Sequence, residues 1–436
     1  MSTLSSSDFE EGIPNGLLLF NLPPYQTAIS SSYYVNVRPI SQLSSCSPVE
    51  FHISNQGTDY LDLQRMKLHC KVNVTHIDGT PLKQDEHVTP VDNFLQSLWS
   101  QIVVYLQGQL VSSDGFYAHK AKLQTMLNYG ADATVSQLQS QLYFPDNVRS
   151  ESEMNSSDVV AGANLGVLSR GSYITLSKSC SMEGALNLDI LQMHRYLING
   201  VDLSLKLFRN TPNFCLTSDE VGVEYKINLE DIYLKVCKIK VNSSLIIGHS
   251  RALESTTAKY PYIKTEMKMS SIASSQMSYI WDNLYSSVCP NRMVICLVDS
   301  EALNGKYTLN PYCFTSKDVH SVGAYMNGVS VPGRPLELSP EDDVSAYVQM
   351  FDDTSKFGLD VGNSIDRKAF KNGSALFVFS LEPGFLQGEY LNLVRTGNIR
   401  LEIKFKSALT KPLSCLVYSE FSSLMEIDAT RNVFMK

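Results

Sequence analysis

Met66, Leu68, Cys70, Val72 and Val74 alternate strictly with Lys67, His69, Lys71 and Asn73. A period of two sends successive side chains to opposite faces, so this run is a half-buried strand of a sandwich or barrel. Val49, Phe51 and Ile53 alternate in the same way, and Asp78-Gly79 marks a turn after the longer run. Further strands are predicted at 101–111, 183–191, 201–208 and 225–241, with Asn199-Gly200 turning the chain between two of them. Downstream they recur at 259–270, 293–298, 321–331, 375–381, 399–406 and 413–421. Helical spacing is rarer. Residues 93–100 read as a short helix, 116–129 as a longer one with Gly130 at its C′ position, and 133–142 as a third.

The second half of the pattern repeats the first. YLQGQLV (105–111) matches YMNGVSV (325–331), ALNLDIL (185–191) matches ALFVFSL (375–381), and VDLSLKLF (201–208) matches IRLEIKFK (399–406). The last pair is in phase at Leu203/Leu401, Leu205/Ile403 and Lys206/Lys404. The order is kept, and the spacing is far longer than the ~20–50 residues of a solenoid, so a whole domain is duplicated. Tyr105 and Tyr325 read as shared core, and Gly108 and Gly328 as tight turns or bulges. From Tyr105 to Leu186 is 81 residues and from Tyr325 to Leu376 is 51. The predicted helices fill the excess, an elaboration of one sandwich. Eight or so strands per copy is the count of a jelly roll. The expected fold is all-β, two tandem eight-stranded jelly rolls with short helical insertions, chiefly in the first. The expected boundaries are an N-terminal arm at 1–44, a first roll at 45–241, a linker at 242–258 and a second roll at 259–436. Long loops are expected at 146–170 and 332–373.

The arm carries Pro14, Pro23, Pro24 and Pro39, which oppose regular structure. In its middle stand Leu17, Leu18, Leu19 and Phe20, which must be buried either on their own domain or on a neighbouring subunit.

Composition narrows the function. Of 436 residues, 43% are hydrophobic and only 18% charged, below the usual ~25%. Such a surface suits burial against neighbours, whose interface cores are depleted of charge, or is simply rich in Ser, Asn and Gln. Net charge is −8 with no basic stretch, so direct nucleic-acid binding is not expected. Nine cysteines without a C-x-x-C read as reduced core residues. The N-terminus lacks the basic and apolar regions of a signal peptide, and no apolar run reaches ~18 residues, so an intracellular product without a membrane span is expected.

Chemistry is sparse. The eight histidines never stand at metal-ligand spacing, and adjacent His69 and Cys70 face opposite sides of a strand. No G-x-S-x-G, Walker A or G-x-G-x-x-G occurs. Glu341, Asp342, Asp343, Asp352 and Asp353 form an acidic loop that reads as solvated charge sooner than a calcium site, since it lacks ordered D-x-D-x-D spacing. No catalytic, cofactor-binding or metal residue is predicted, and the chain is not read as an enzyme.

Five stretches, YYVNVRPISQL (33–43), SPVEFHISNQGTDYLDL (47–63), VDNFLQSLWSQIVVYLQGQLVSS (91–113), TAKYPY (257–262) and MEIDATRNV (425–433), resemble one family in order. It is the double jelly-roll major capsid protein of Polinton/Maverick elements and adintoviruses. The resemblance spans residues 17 to 436. It implies homotrimers that form pseudo-hexagonal capsomers and tile an icosahedral virion shell. The implied partners are further copies of the chain, a penton single jelly-roll protein and minor capsid proteins. Synthesis in the host cytoplasm is implied, with assembly in the nucleus or cytoplasm. The arm would make lattice contacts through Leu17 to Phe20, and the two long loops would form the outer crown. The competing readings are a minor capsid or spike component, and a non-capsid double β-sandwich, either a carbohydrate-binding module or a bicupin-like enzyme. A cupin needs clustered His and carboxylate ligands. Neither 185–191 nor 375–381 contains a histidine.

Overall fold

The computed structural model of the chain describes residues 12–20, 22–43, 48–146, 164–338, 344–360, 362–382 and 393–436. The strictly alternating run lies at the heart of β3, and its five apolar members are all buried. In chain order the first half holds β1 (Ile29–Val37), β2 (Val49–Ile53), β3 (Tyr60–His76), β4 (Val88–Pro90), β5 (Trp99–Leu106), β6 (Gln109–Asp114), β7 (Cys180–Gly184), β8 (Leu203–Arg209), β9 (Leu216–Ser218) and β10 (Tyr225–Val241). The second holds β11 (Ala258–Ile272), β12 (Ser278–Tyr285), β13 (Arg292–Asp299), β14 (Val319–Met326), β15 (Val329–Glu337), β16 (Phe377–Ser380), β17 (Ile399–Phe405), β18 (Leu413–Ile427) and β19 (Val433–Met435).

The first half forms sheets β1-β10-β3-β7 and β2-β8-β5-β6; the second forms β11-β18-β13-β16 and β12-β17-β14-β15. Numbered one to eight within each roll, both halves show the same orders, 1-8-3-6 and 2-7-4-5. That is the two-Greek-key jelly roll, made twice. The short β4–β9 ladder is an addition to the first roll, and β19 extends the second through β18. Buried apolar side chains of both rolls form one continuous cluster.

The repeated motif is a hairpin. Gln107 and Gly108 have φ of 50° and 78°, and Asn327 and Gly328 have 52° and 83°. Two consecutive positive φ values in a two-residue loop make a type I′ turn, whose twist matches the flanking strands. Each turn is clamped to the seventh strand of its roll. The Gln107 N–H donates to the Asp202 carbonyl at 2.9 Å, and the Gln107 side-chain oxygen accepts from the Asp202 N–H at 3.0 Å. Asn327 and Asn398 repeat both bonds, each at 2.9 Å.

Several expectations need correction. β1 lies inside the stretch read as an arm, yet it pairs along its length with β10. It is an edge strand with no buried residue, so it has no alternation to detect. The region 183–191 is not one strand. β7 ends at Gly184, and a 3-10 turn at Asp189–Gln192 follows, its apolar residues buried in an irregular segment. The match of 201–208 to 399–406 is out by two residues. Leu106 pairs with Leu203, and its counterpart Met326 pairs with Ile399, so Leu203 corresponds to Ile399 and not to Leu401. A shift of two preserves every face, so hydrophobic pattern cannot reveal it. Tyr105 and Tyr325 are half-buried on the outer faces of their sheets, where Arg400 lies 5.5 Å from the Tyr325 ring. Gly130 has φ −87° and is no left-handed cap. The linker is a helix, Ser243–Ser255. Much of 332–373 is structured as the end of β15 and helices Val344–Asp352 and Arg367–Lys371, which bury Met350 and Phe370. Of the loop at 146–170, residues 147–163 lie outside the described residues, and Leu165–Gly171 is helical. Eight cysteines are free and buried, as the reduced reading requires, while Cys46 lies outside the described residues.

No atom lies within 4 Å of a Cβ built on Gly328, so a substitution there tests backbone strain alone. Gly328→Ala is expected to cost about 1–2 kcal/mol, the price of a left-handed L-residue. Calorimetry of the purified variant should show a lowered unfolding midpoint.

Candidate functional site at the junction of the rolls

The junction helix, Tyr117–Asn128, comes from the long connection between β6 and β7. Every residue from Tyr117 to Leu127 is buried, charged and apolar alike. A helix buried on all sides lies between packed elements, and its polar side chains show which. Toward its own roll, Lys120 Nζ reaches Asp189 Oδ1 at 2.7 Å, and Lys122 is bonded to Asp92. Toward the second roll, His119 Nε2 lies 3.2 Å from the Pro311 carbonyl, and Gln124 donates to the Tyr418 hydroxyl at 3.2 Å. At the helix C-terminus, Lys356 donates to the Leu127 carbonyl at 2.6 Å.

Asp189 joins the two rolls directly. Besides Lys120, its carboxylate accepts from the Thr265 N–H and hydroxyl on β11, each at 2.7 Å. β11 is the edge of its sheet, so this bond also occupies an edge N–H that would otherwise be free to pair with another strand. Farther along the junction, Asp146 receives Arg170 at 2.7 Å and Asn310 at 3.0 Å. The Tyr312 hydroxyl lies 2.6 Å from Ser97 Oγ, and Arg431 donates to the Asn199 carbonyl at 2.8 Å.

Burial shapes the titrations. It pushes the His119 imidazole down to about 4, so the ring is neutral near pH 7. Burial also pushes Lys122 down, but the Asp92 charge outweighs it and the net direction is upward. Arg292 behaves likewise, with Glu420 at 2.7 Å prevailing over desolvation. These groups make ion pairs and hydrogen bonds that set orientation.

The arm is placed differently. Leu17, Leu18, Leu19 and Phe20 are 66%, 38%, 75% and 97% exposed. They do not pack on their own domain. The acidic loop divides. Glu341 to Asp343 lie outside the described residues, while Asp353 is buried and burial raises its carboxyl to about 6. Asp353 is therefore no part of a solvated run. Among the described residues, His87, Asp219 and Glu220 bring ligand atoms within 4.8 Å of one another and could hold a cation. His87 and Asp219 are far apart in sequence, so no spacing rule could have found them. Asp219 is exposed, and His87 Nδ1 already pairs with it at 3.3 Å. No described helix is long and apolar enough to cross a membrane.

No protein-family model matches the chain. An uncharacterized protein of Caenorhabditis elegans is 27% identical over 427 residues, covering 94% of this chain and 98% of that protein. Among solved structures, the cryo-EM structure of the Sputnik virophage aligns with a TM-score of 0.61 at 13% identity, over 98% of this chain and 93% of its own. The mavirus major capsid protein aligns at 0.56 and 12% identity, over 100% and 97%. The Faustovirus major capsid protein aligns at 0.57 and 9% identity, over 94% and 92%. The fold is that of double jelly-roll viral major capsid proteins.

Two outcomes follow from the junction. Lys120→Met strands a buried carboxylate and is expected to cost about 3–5 kcal/mol, read as a lowered calorimetric midpoint with the rolls unfolding in separate steps. His119 is neutral when folded and protonates near 6.5 when unfolded, so the unfolded chain binds the extra proton between pH 6.5 and 4. The stability it confers is complete above pH 6.5 and is lost as pH falls toward 4. Relative to His119→Gln, the wild type should lose roughly 3 kcal/mol across that window, measured by denaturant melts at each pH.

Proposed function

We propose that this chain is a viral major capsid protein, three copies of which close into a pseudo-hexagonal capsomer that tiles an icosahedral shell. The observation that carries the reading is the exact repetition of the jelly-roll strand order within one chain, the two copies locked together by a buried polar junction. Three chains each bearing two similar rolls offer six similar outlines around one threefold axis. A threefold ring uses a heterologous interface and closes on itself. The interface expected for an obligate assembly of this kind is on the order of 2,000–5,000 Å². A surface with few charges is suited to such burial.

The quoted sequence stretches favour kinship with Polinton/Maverick and adintovirus capsids, and the full-length likeness to virophage and mavirus structures is consistent with that lineage. In such a shell the partners are further copies, a penton single jelly-roll protein at the five-folds and minor capsid proteins. The location is the virion, after synthesis in host cytoplasm. The chain's role is structural and not enzymatic. The exposed arm is suited to contacts between capsomers.

Light scattering of the purified protein should give a mass near three times 48.6 kDa, about 146 kDa, with hexagonal outlines in negative stain. A monomer over a wide concentration range would overturn the reading and direct attention to a binding module. The arm can be removed only up to residue 25, because Gln26 bonds the first residue of β1 at 2.7 Å. That truncation should leave trimers intact and abolish shells, scored by sedimentation and electron microscopy.

A further inference from the structure

The linker helix, Ser243–Ser255, contains no buried residue. Beside it, between the two rolls, opens a cavity of about 480 Å³. Ile29, Ile198, Val241, Leu245, Ala252 and Leu253 give it an apolar lining. Two polar groups there, the Tyr60 hydroxyl and His249 Nδ1, satisfy each other at 2.8 Å. Arg195 and Lys259 add positive charge.

The arm leaves from the wall of this same cavity. Ala28 and Ile29 line it, and the Asn242 N–H holds the Ala28 carbonyl at 2.8 Å. Preceding that anchor come Pro23 and Pro24, whose rings fix φ and favour extended backbone. Beyond them stand the exposed Leu17 to Phe20, preceded in sequence by Asp8, Glu10 and Glu11. An apolar segment following three acidic residues matches an apolar cavity bearing two cations.

We propose that this cavity receives the Leu17–Phe20 segment of a second copy of the chain. The proposal rests on the self-assembly reading above and names the receptor for the arm. Size agrees. An apolar cavity of ~150 Å³ accepts one benzene, so this one has room for about three such groups, the Phe20 ring and two leucines. The arm's own cavity is a poor target, because Phe20 lies eight residues from Ala28 and the path between holds the extended Pro23-Pro24 pair. Each copy thus carries one arm and one receptor at a common root. An arm passed from one copy to the receptor of the next is a heterologous contact, the kind that builds rings and lattices.

The test uses the full-length chain with Phe20→Asp, so that its own arm is disabled, and a fluorescent peptide of residues 1–25. Anisotropy should show saturable binding that weakens with added salt. Placing Phe20→Asp in the peptide, or Ala252→Trp in the exposed wall of the receptor, should weaken it at least tenfold. Absence of saturable binding at millimolar peptide, or binding indifferent to Ala252→Trp, overturns the proposal. Oxidation of a mixture of full-length Phe20→Cys and Ala252→Cys chains should link two chains, with each variant alone as control. A link formed only when both substitutions share one chain, giving a monomeric product, overturns the second-copy assignment. Light scattering separates this from the capsid reading. Trimers without peptide binding sink the docking alone, and a monomer that binds the peptide sinks the capsid reading alone.

Discussion

The carboxylate of Asp189 is the point on which the geometry of this molecule turns. It is buried between two domains and takes hydrogen bonds from Lys120 on one side and from the Thr265 N–H and hydroxyl on the other. An isolated buried charge would cost many kilocalories per mole, and an ion pair in such a place is tolerated only when its remaining lone pairs are filled. Here they are filled by the other roll. Separating the rolls, or sliding one on the other, would take both Thr265 hydrogen bonds from the Asp189 carboxylate, so these directional bonds discourage it. Apolar contact alone is non-directional and would permit it. In the proposed pseudo-hexagonal capsomer, a fixed angle between the rolls would matter more than the stability the pair adds.

The same economy explains the low charge of the chain. Lys120, Lys122, Arg170 and Arg292 are all buried, together with Asp92, Asp189 and Asp353. Part of an already small complement of charge is therefore spent inside, and the outer surface is poorer in charge than composition suggests. Exposed side chains such as Leu17, Leu19 and Phe20 are then left with little around them to discourage association.

Much of this fold was legible in the sequence where one face of a strand meets the core. β10 was bounded correctly at 225–241, and the β3 alternation fell on buried positions throughout. The Gly108 and Gly328 turns were legible because only a positive φ demands that residue there. Edge strand β1 was not, since it buries no residue, and β12 was not, since an irregularity between Trp281 and Tyr285 breaks its period of two. The junction helix was recognised, but not its place, because helical spacing does not reveal what a helix packs against. Asp189 was hidden in a segment that looked like a strand. Its buried neighbours are apolar because they face the junction, and a tertiary environment of that kind leaves no periodic trace. His87 and Asp219 meet only through the β4–β9 region, a contact that belongs to topology and not to spacing.

Duplication alone would give a subunit whose two ends are interchangeable, which would leave the proposed ring ambiguous. The departures from symmetry fall where they remove that ambiguity. Among the described residues, the helix buried in the junction comes from the first roll, so the rolls cannot trade places around it. The first strands of the two rolls are equivalent edges in the same topology, yet their surroundings differ. β1 is preceded by an exposed apolar arm, while β11 follows the linker helix and has its edge engaged by Asp189. One edge therefore sends a segment outward and the other is tied inward. Distinct ends suit head-to-tail contact, the heterologous kind that the proposed assembly uses.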